Sequence, residues 1–467
     1  MELRSEAVPS QSTTPSPRPV RAVRRVAAGL AVSMAMLTGA CATPQPRLLL
    51  LQTTSGAFAG AHTRTATAYL GVPYAEPPLG PLRWREPAPA PRAAAVRAAH
   101  AWPADVEPED CLRVDLWLPR GVPADGAPLL VWLVDGPRAA TELVGTTGAR
   151  LADRGVAVAH VHLRTGLLGT FAHPALELQR PGGPCNFALL DALQALRWLR
   201  DNAPALGVDP ERVTLAAAGR VAGLAVHLWA APDARGLFQR VMLHDADGFA
   251  EPAPARLARE EGQRLLSLAG LVPATTAADL RALPATRLLA VDPAGGPLAH
   301  PVRDDALAPA APWLRLARGD EAAVPLLVGS TDRGAPDDAR RAAAARGIAA
   351  LHCQRAPCWL FRYAFAPDGT AVPAPADLLF SPLPRTSATA AAAARRWMEE
   401  HVLTYWAAFA AGAPLRSAGA PDWPPYEPRN DGDVTLRFGP AIEVRVGLDR
   451  AALDRALEEF ARETLTR

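Results

Sequence analysis

Lysine is absent from this sequence of 467 residues, so all 49 basic residues are arginine. Ala and Pro are also heavily used, and the bias reads as genome composition rather than as an arginine-specific device. The 47 acidic residues nearly cancel the arginines, giving a formal net charge of +2, which excludes the broad electrostatic footprint of a nucleic-acid-binding protein. Cysteine is scarce, with 5 in the chain. Serine is missing over a long interval, with none between Ser55 and Ser267, and histidine is missing between His352 and His401. These gaps exclude a serine nucleophile from the middle of the chain and a histidine from much of its C-terminal part.

What is present is 49% hydrophobic residues, ample material for a core. The length suits one large α/β domain or two to three average ones, and length alone does not choose. At the start, Arg18, Arg21, Arg24 and Arg25 form a basic region. Val26 to Leu37 is apolar but too short to span a bilayer comfortably, and Thr38-Gly39-Ala40-Cys41 follows. That order is the order of an export signal, which is set aside from fold reasoning. The tetrapeptide resembles a bacterial lipoprotein lipobox, with Thr38 where leucine is usual. The resemblance implies a diacylated Cys41 as the mature N-terminus. Ordinary cleavage near Ala40-Cys41-Ala42 is the competing reading. The expected division is a signal over 1–41 and one domain over 42–467, lipid-anchored or periplasmic in a bacterial envelope.

The stretch Asp209 to Phe238, DPERVTLAAAGRVAGLAVHLWAAPDARGLF, reads as a short buried strand through Val213 and Leu215, a tight turn and an apolar helix. Its flanks resemble the type-B carboxylesterase/cholinesterase family, which reads D-P-x-R-V-T-L-F-G-E-S-A-G and then, after a helix, Pro and R-G-L-F. In that family the turn is the nucleophile elbow, where G-x-S-x-G presents a strained serine at the head of the helix. Here Ala217, Ala218, Gly219, Arg220 and Val221 fill the five places, so the nucleophile's place is Gly219. Cys111 and Cys185 lie far from the turn in sequence and do not replace it.

The resemblance extends over roughly residues 50 to 465. Tyr69 to Trp84 is similar to F-x-G-I-P-Y-A-x-P-P-x-G-x-L-R-F, and Glu109 to Leu112 to the end of S-E-D-C-L. The family's cysteine there pairs with one further upstream; only Cys41 precedes Cys111, so that bridge is expected to be lost. Leu112 to Pro119 alternates as a strand should, and Pro128 to Val134 is an unbroken apolar run suited to a buried parallel strand. The family's H-G-G-G oxyanion loop is occupied by Val134, Asp135, Gly136 and Pro137. Proline has no N–H to donate, and Asp135 brings negative charge to a site that stabilises an oxyanion. Val156 to His162 is the next strand, followed by Arg164 and Gly166, which match N-Y-R-x-G. His160 and His162 share one strand face, but no third metal ligand accompanies them. Asn186 to Asp191 resembles N-x-G-L-x-D and opens a helical pattern running to Leu206.

Beyond the elbow, Val241 to Leu243 reads as a strand, and His244-Asp245-Ala246 replaces Q-S-G. His244 beside Asp245 and Asp247 invites an acid/base reading. Glu251 to Leu289 is helical, expected to form part of the cover over the sheet. Pro301 to Asp304 resembles P-V-V-D-G, and Val324 to Gly334 resembles the strand ending in D-E-G, whose glutamate orients the catalytic histidine. Asp332 and Arg333 are the nearest occupants of that acid's place. Cys353 and Cys358 are close enough in sequence for a small loop disulfide. The histidine's place falls on Ala374, in a segment matching H-G-A-E-L, while His401 falls on the following helix near Tyr405-Trp406. Pro421 to Pro428 resembles the family's W-P-x-Y tract.

The expected fold is therefore α/β, an α/β-hydrolase with a mostly parallel central sheet and helices on both faces. The leading functional expectation is an inactive carboxylesterase-like domain that binds a small ligand or an envelope partner. The alternative is an ester hydrolase with a rebuilt site, for example around His244. No cofactor, metal or nucleic acid is implied. Arg220 opposes the positive end of its helix, so it is expected to meet an acidic partner, with Asp135 the candidate, or to bind an anion.

Overall fold

Residues that are apolar at every position suit strands covered on both faces, because successive side chains point to opposite sides. The run Pro128 to Val134 behaves in this way: Leu129, Val131 and Leu133 enter one core and Leu130, Trp132 and Val134 another. The computed structural model describes residues 49–458 apart from 64–65, 104–106, 108, 122, 136–147, 180–184, 247–250, 269, 271–275, 292–299, 305–306, 336, 367–371, 374–378, 381–388, 429–432, 449–450, 452–453 and 456–457. Contacts divide the chain into Met1–Arg47 and Leu48–Arg467, and everything below concerns the second unit.

The strands are β1 Leu49–Thr53, β2 Gly56–His62, β3 Ala66–Pro73, β4 Arg97–Ala98, β5 Arg113–Pro119, β6 Ala127–Asp135, β7 Ala157–Leu163, β8 Val208–Ala218, β9 Arg240–His244, β10 Leu326–Thr331, β11 Cys358–Tyr363, β12 Val434–Phe438 and β13 Ile442–Val446. Their order is β1-β2-β3-β5-β7-β6-β8-β9-β10-β11-β12-β13, with β4 beside β2. From β7 through β12 every neighbouring pair is parallel, while the flanks are antiparallel apart from the short parallel pair of β2 with β4. The elbow strand β8 lies between β6 and β9, well inside the sheet, and starts earlier than the short strand read from Val213 and Leu215.

Helices cover both faces. On one, α1 (Phe187–Asp201), α2 (Gly219–Trp229) and α4 (Asp338–His352) bury Leu193, Leu196, Val221, Trp229 and Ile348 against the odd-numbered side chains of β6. On the other, α5 (Ala390–Ala411) buries Met398, Val402, Tyr405 and Trp406. Each such large apolar side chain contributes about 1.5–3 kcal/mol. The region Glu251 to Leu289 corrects one expectation. Its helices, α3 (Ala255–Leu268) with the short Ala277–Arg281 and Ala285–Leu289, gather around Trp84, Leu167, Phe171 and Phe187. Among the described residues that third cluster contains none of the sheet's strands, so this cover packs on loops and helix ends.

Cys353 and Cys358 supply a second correction. Both are free thiols, directed to the carbonyl oxygens of Ala350 and Ala356. Burial pushes the Cys358 thiol far above its ordinary range, which keeps it protonated. Cys111 is buried and free.

Two buried ion pairs fasten loops to the body of the fold. Arg164 Nη2 donates to Asp191 Oδ1 at 2.6 Å and Nε to Oδ2 at 2.9 Å, with side chains only 2% and 0% exposed. Asp191 also accepts the Arg164 backbone N–H at 3.1 Å, and Arg164 Nη1 reaches the Arg85 carbonyl at 2.9 Å. Arg83 forks onto Glu109, with Nε to Oε1 at 2.6 Å, and donates to the Leu283 carbonyl at 2.6 Å, tying the Pro-rich segment to the cover. Removing one member of a buried pair strands the other's charge, at about 3–5 kcal/mol. Asp191→Ala is accordingly expected to lower unfolding stability by about that much in urea titrations, and a loss under about 1 kcal/mol would show that water already screens the pair.

Candidate functional site

The strand β8 ends at Ala218, extended at φ −131° and ψ 152°, and α2 begins at the next residue. Gly219 makes the turn with φ +58°. For a residue with a Cβ that conformation costs about 1–2 kcal/mol, and for glycine it is free. A Cβ built on Gly219 meets no atom within 4 Å, so the turn has room for a side chain that the sequence does not supply. The residue expected at the nucleophile's place is thus a glycine in a left-handed strand-to-helix turn. Arg220 is exposed on the first turn of α2. The far end of α2 is closed by the buried Arg315, which donates to the carbonyls of His227 and Ala230.

Neighbouring strands end level with the elbow. His244, the last residue of β9, is in register with Ala218 of β8 and Gly329 of β10. Its ring is fully buried among Trp132, Phe361 and Trp406, and Trp406 Nε1 donates to His244 Nε2 at 3.0 Å. Burial, opposed in part by Asp245, pulls its pKa down to about 4, so the ring is a neutral acceptor. Asp245 takes a left-handed φ of +50° and turns elsewhere. Its Oδ1 accepts the Thr331 N–H at 2.6 Å and its Oδ2 accepts from Arg333 Nη2 at 3.0 Å. The acid/base pair read from adjacent residues is therefore not assembled: His244 answers to an indole and Asp245 to a guanidinium. Asp247 lies outside the described residues.

Asp332 and Arg333, the residues expected nearest the place of the family's acid, also have internal partners. Asp332 faces Arg362 at 3.4 Å and its N–H donates to the Tyr363 carbonyl at 2.7 Å, while the Arg333 N–H donates to Asp338 Oδ2 at 2.6 Å. Val134 is buried in the second core. Gly136, Pro137, Ala374 and the side chain of Asp135 lie outside the described residues, and the Arg220–Asp135 pairing with them.

His160 and His162 do share a face, and both rings are buried. His160 packs edge-on against Trp117 and Phe380, and neither ring nitrogen has a partner. His162 Nε2 lies 3.2 Å from Asp115 Oδ2. Asp115 also accepts from the Gly71 N–H at 2.7 Å and from Trp102 Nε1 at 3.0 Å. Burial raises the Asp115 carboxyl, but the His162 hydrogen bond and charge, with the other donors, outweigh it and hold it below its ordinary range. The Asp115–His162 pair has no local signature in the chain beyond a lone acid inside an apolar strand. Among the described residues no group of three His, Cys, Asp or Glu side chains is arranged to hold a metal.

Burial brings His160 and His227 to about 3 and His244 to about 4, from 6.5. Below pH 6.5 the unfolded chain takes up protons at these rings that the folded chain refuses, so stability on their account is complete above pH 6.5 and lost as pH falls toward 4. The slope is at most about 1.4 kcal/mol per pH unit for each ring. Urea midpoints measured from neutral pH downward should show this fall, and His160→Phe should flatten it by one ring's share; an unchanged slope would mean that His160 protonates in the folded protein.

Sequence and structure comparisons agree with this architecture. The profile of the Carboxylesterase family matches residues 48–346. Fumonisin B1 esterase of Sphingopyxis macrogoltabida is 34% identical over 259 residues, covering 50% of this chain and 47% of that protein. Acetylcholinesterase of Gallus gallus is 34% identical over 239 residues, covering 45% and 30%. The chain thus spans less than half the length of the curated relatives it matches. Among solved structures, a PNB esterase superposes with a TM-score of 0.72 at 22% identity, over 86% of this chain and 99% of that one. A Geobacillus stearothermophilus carboxylesterase gives 0.71 at 22% over the same shares. At such identities the superposition speaks for the fold, while the profile spans well over half of the residues: the chain belongs to the Carboxylesterase family and has the α/β-hydrolase fold.

Proposed function

We propose that this family member lacks ester-hydrolase activity and works as an exported, lipid-anchored binding domain for a small ligand or an envelope partner. The observation that carries the proposal is Gly219 at the turn of a fully formed elbow. Acyl transfer by this fold needs a nucleophile whose oxygen is exposed there, a base within hydrogen-bond reach of it, and donors for the oxyanion. Gly219 has no side chain to deprotonate. The nearest described histidine, in strand register, is committed to Trp406.

The competing reading, an ester hydrolase with a rebuilt site, draws its support from the relatives, whose names are those of hydrolases. Turnover of short-chain p-nitrophenyl esters together with fluorophosphonate labelling separates the two. Our proposal requires both to be negative, and turnover that is stoichiometrically blocked by the fluorophosphonate would overturn it.

Repair is expected to fail stepwise. Gly219→Ser places a hydroxyl in open space but without a base, and the left-handed φ costs it about 1–2 kcal/mol. Triad members act as a unit, so the single variant should stay inactive. Adding Ala374→His should also leave activity at background while Asp135 and Pro137 stand in the oxyanion loop, where each missing donor costs about 3–4 kcal/mol. Inhibitable esterase activity in Gly219→Ser alone would reveal a surviving base and refute the proposal. For the anchor, Cys41→Ser should release the protein from the membrane fraction and block maturation; fractionation like the wild type would remove the lipid from this reading.

A further inference from the structure

The sheet ends on β13, and among the described residues no strand lies beyond it. Two bonds at its ends fix which way its backbone groups point: the Gly439 N–H donates to the Ala441 carbonyl at 3.0 Å and the Gly447 N–H to the Asp433 carbonyl at 3.2 Å. With Arg437 opposite Glu443 and Thr435 opposite Arg445 between them, the odd-numbered residues of β13 are the ones that exchange backbone bonds with β12. The N–H and C=O groups of Ile442, Val444 and Val446 therefore point away from β12, along the open edge. Such an edge is a template for another strand, and proteins commonly blunt it with proline, bulges or charge. β13 has no proline, runs beside β12 without a bulge, and carries one charge of each sign.

Side chains alternate across the strand. Ile442, Val444 and Val446 take the face of Leu436 and Phe438, which lie in the second core; Ile442 is buried there, while Val444 is 38% and Val446 61% exposed. Glu443 and Arg445 take the other face, where Arg445 Nε donates to Glu443 Oε2 at 2.7 Å and both side chains reach water. The chain that follows is drawn toward α4, where Arg346 Nη1 meets Asp454 Oδ1 at 2.6 Å.

These five residues are self-complementary. Set antiparallel about a two-fold axis at Val444, two copies of β13 place Val444 opposite Val444, Ile442 opposite Val446 and Glu443 opposite Arg445. The backbone agrees with that register, because the Val444 and Ile442–Val446 pairs are the ones whose N–H and C=O groups already face outward. The charges then fall on the closer, non-hydrogen-bonded pairs, each carboxylate facing a guanidinium across the contact as well as within its own strand. An axis at Glu443 or Arg445 instead sets like charges opposite one another. An axis at Ile442 or Val446 leaves most of the strand unpaired.

We propose that β13 is the pairing edge of a two-fold symmetric homodimer, in which the sheets of two copies run on through adjoining β13 strands centred on Val444. An isologous contact closes on itself, so assembly stops at two. One short strand from each copy makes a small contact, and the dimer is accordingly reversible. Strands β9 to β12 separate this edge from β8, so the pairing stands apart from the turn at Gly219 and from the function proposed there.

Cross-linking and charge reversal in the full-length protein test this. Under mild oxidation Val444→Cys should form a disulfide-linked dimer, because residues opposite one another in a hydrogen-bonded pair stand about 5.5 Å apart at Cα, within disulfide reach. Val446→Cys is the more exposed position but faces Ile442 rather than itself, and it should stay unlinked, as should the parent with its own thiols. In sedimentation velocity, Glu443→Arg and Arg445→Glu should each weaken dimerisation by at least about tenfold, since two symmetric pairs turn repulsive. Mixing the two variants should restore association, because every pair across the contact is again of opposite sign. Both reversals in one chain should dimerise as the wild type does, which separates loss of the contact from loss of the fold. The proposal is overturned by a wild-type protein that sediments as a monomer at every concentration, by Val446→Cys linking as readily as Val444→Cys, or by a mixture of the two charge variants that associates no better than either alone.

Discussion

A parallel strand in the middle of a sheet must hand its chain to a helix within a residue or two, and the left-handed turn at Gly219 is where that constraint is met. The strand β8 is held on both sides by parallel partners, and α2 packs back onto the face beneath it through Val221, Ala225 and Trp229. With both neighbours fixed, the connecting residue has little choice of φ. In a hydrolase of this fold the strain of that turn is borne by a serine and serves its exposure. With glycine the same geometry is reached without strain, and the turn closes the strand–helix unit that packs into the first core.

Much of that architecture was legible in the sequence because its cause is local. The unbroken apolar run of β6, the strand of β8 and the helical spacing after Asn186 each follow from side-chain periodicity, and each is found, although β8 starts earlier than read and the helix breaks at Asn202. Arg164 and Asp191 were picked out separately by their surrounding tracts, and the fold joins them into one buried pair. Partners distant in sequence were not legible. Arg333 lies 88 residues from Asp245, and nothing near either residue announces the other. Adjacent residues at a strand end point to opposite sides, which is why His244 and Asp245, neighbours in the chain, share no bond. The thiols of Cys353 and Cys358 were misjudged for a similar reason: proximity in sequence says nothing of where a helix end and a strand start direct their side chains.

The buried histidines follow from the same two-faced sheet. Alternation sends His160, Trp132 and His244 toward the second core, where Phe361, Phe380 and Trp406 exclude water. In that setting the charged form of an imidazole is too costly and the neutral ring is kept. His244 recovers one hydrogen bond from Trp406, whereas His160 recovers none. These rings are therefore packing groups that carry a pH-dependent penalty, and their chemistry is directed inward.

At the carboxyl ends of the central strands, three described polar side chains have internal partners: His244 with Trp406, Asp245 with Arg333 and the Thr331 N–H, Asp332 with Arg362. A catalytic site in such a fold keeps its polar groups poised toward the substrate, with pKa values tuned by what they leave unpaired. The left-handed φ of Asp245, at φ +50°, is held by the two bonds its carboxylate makes.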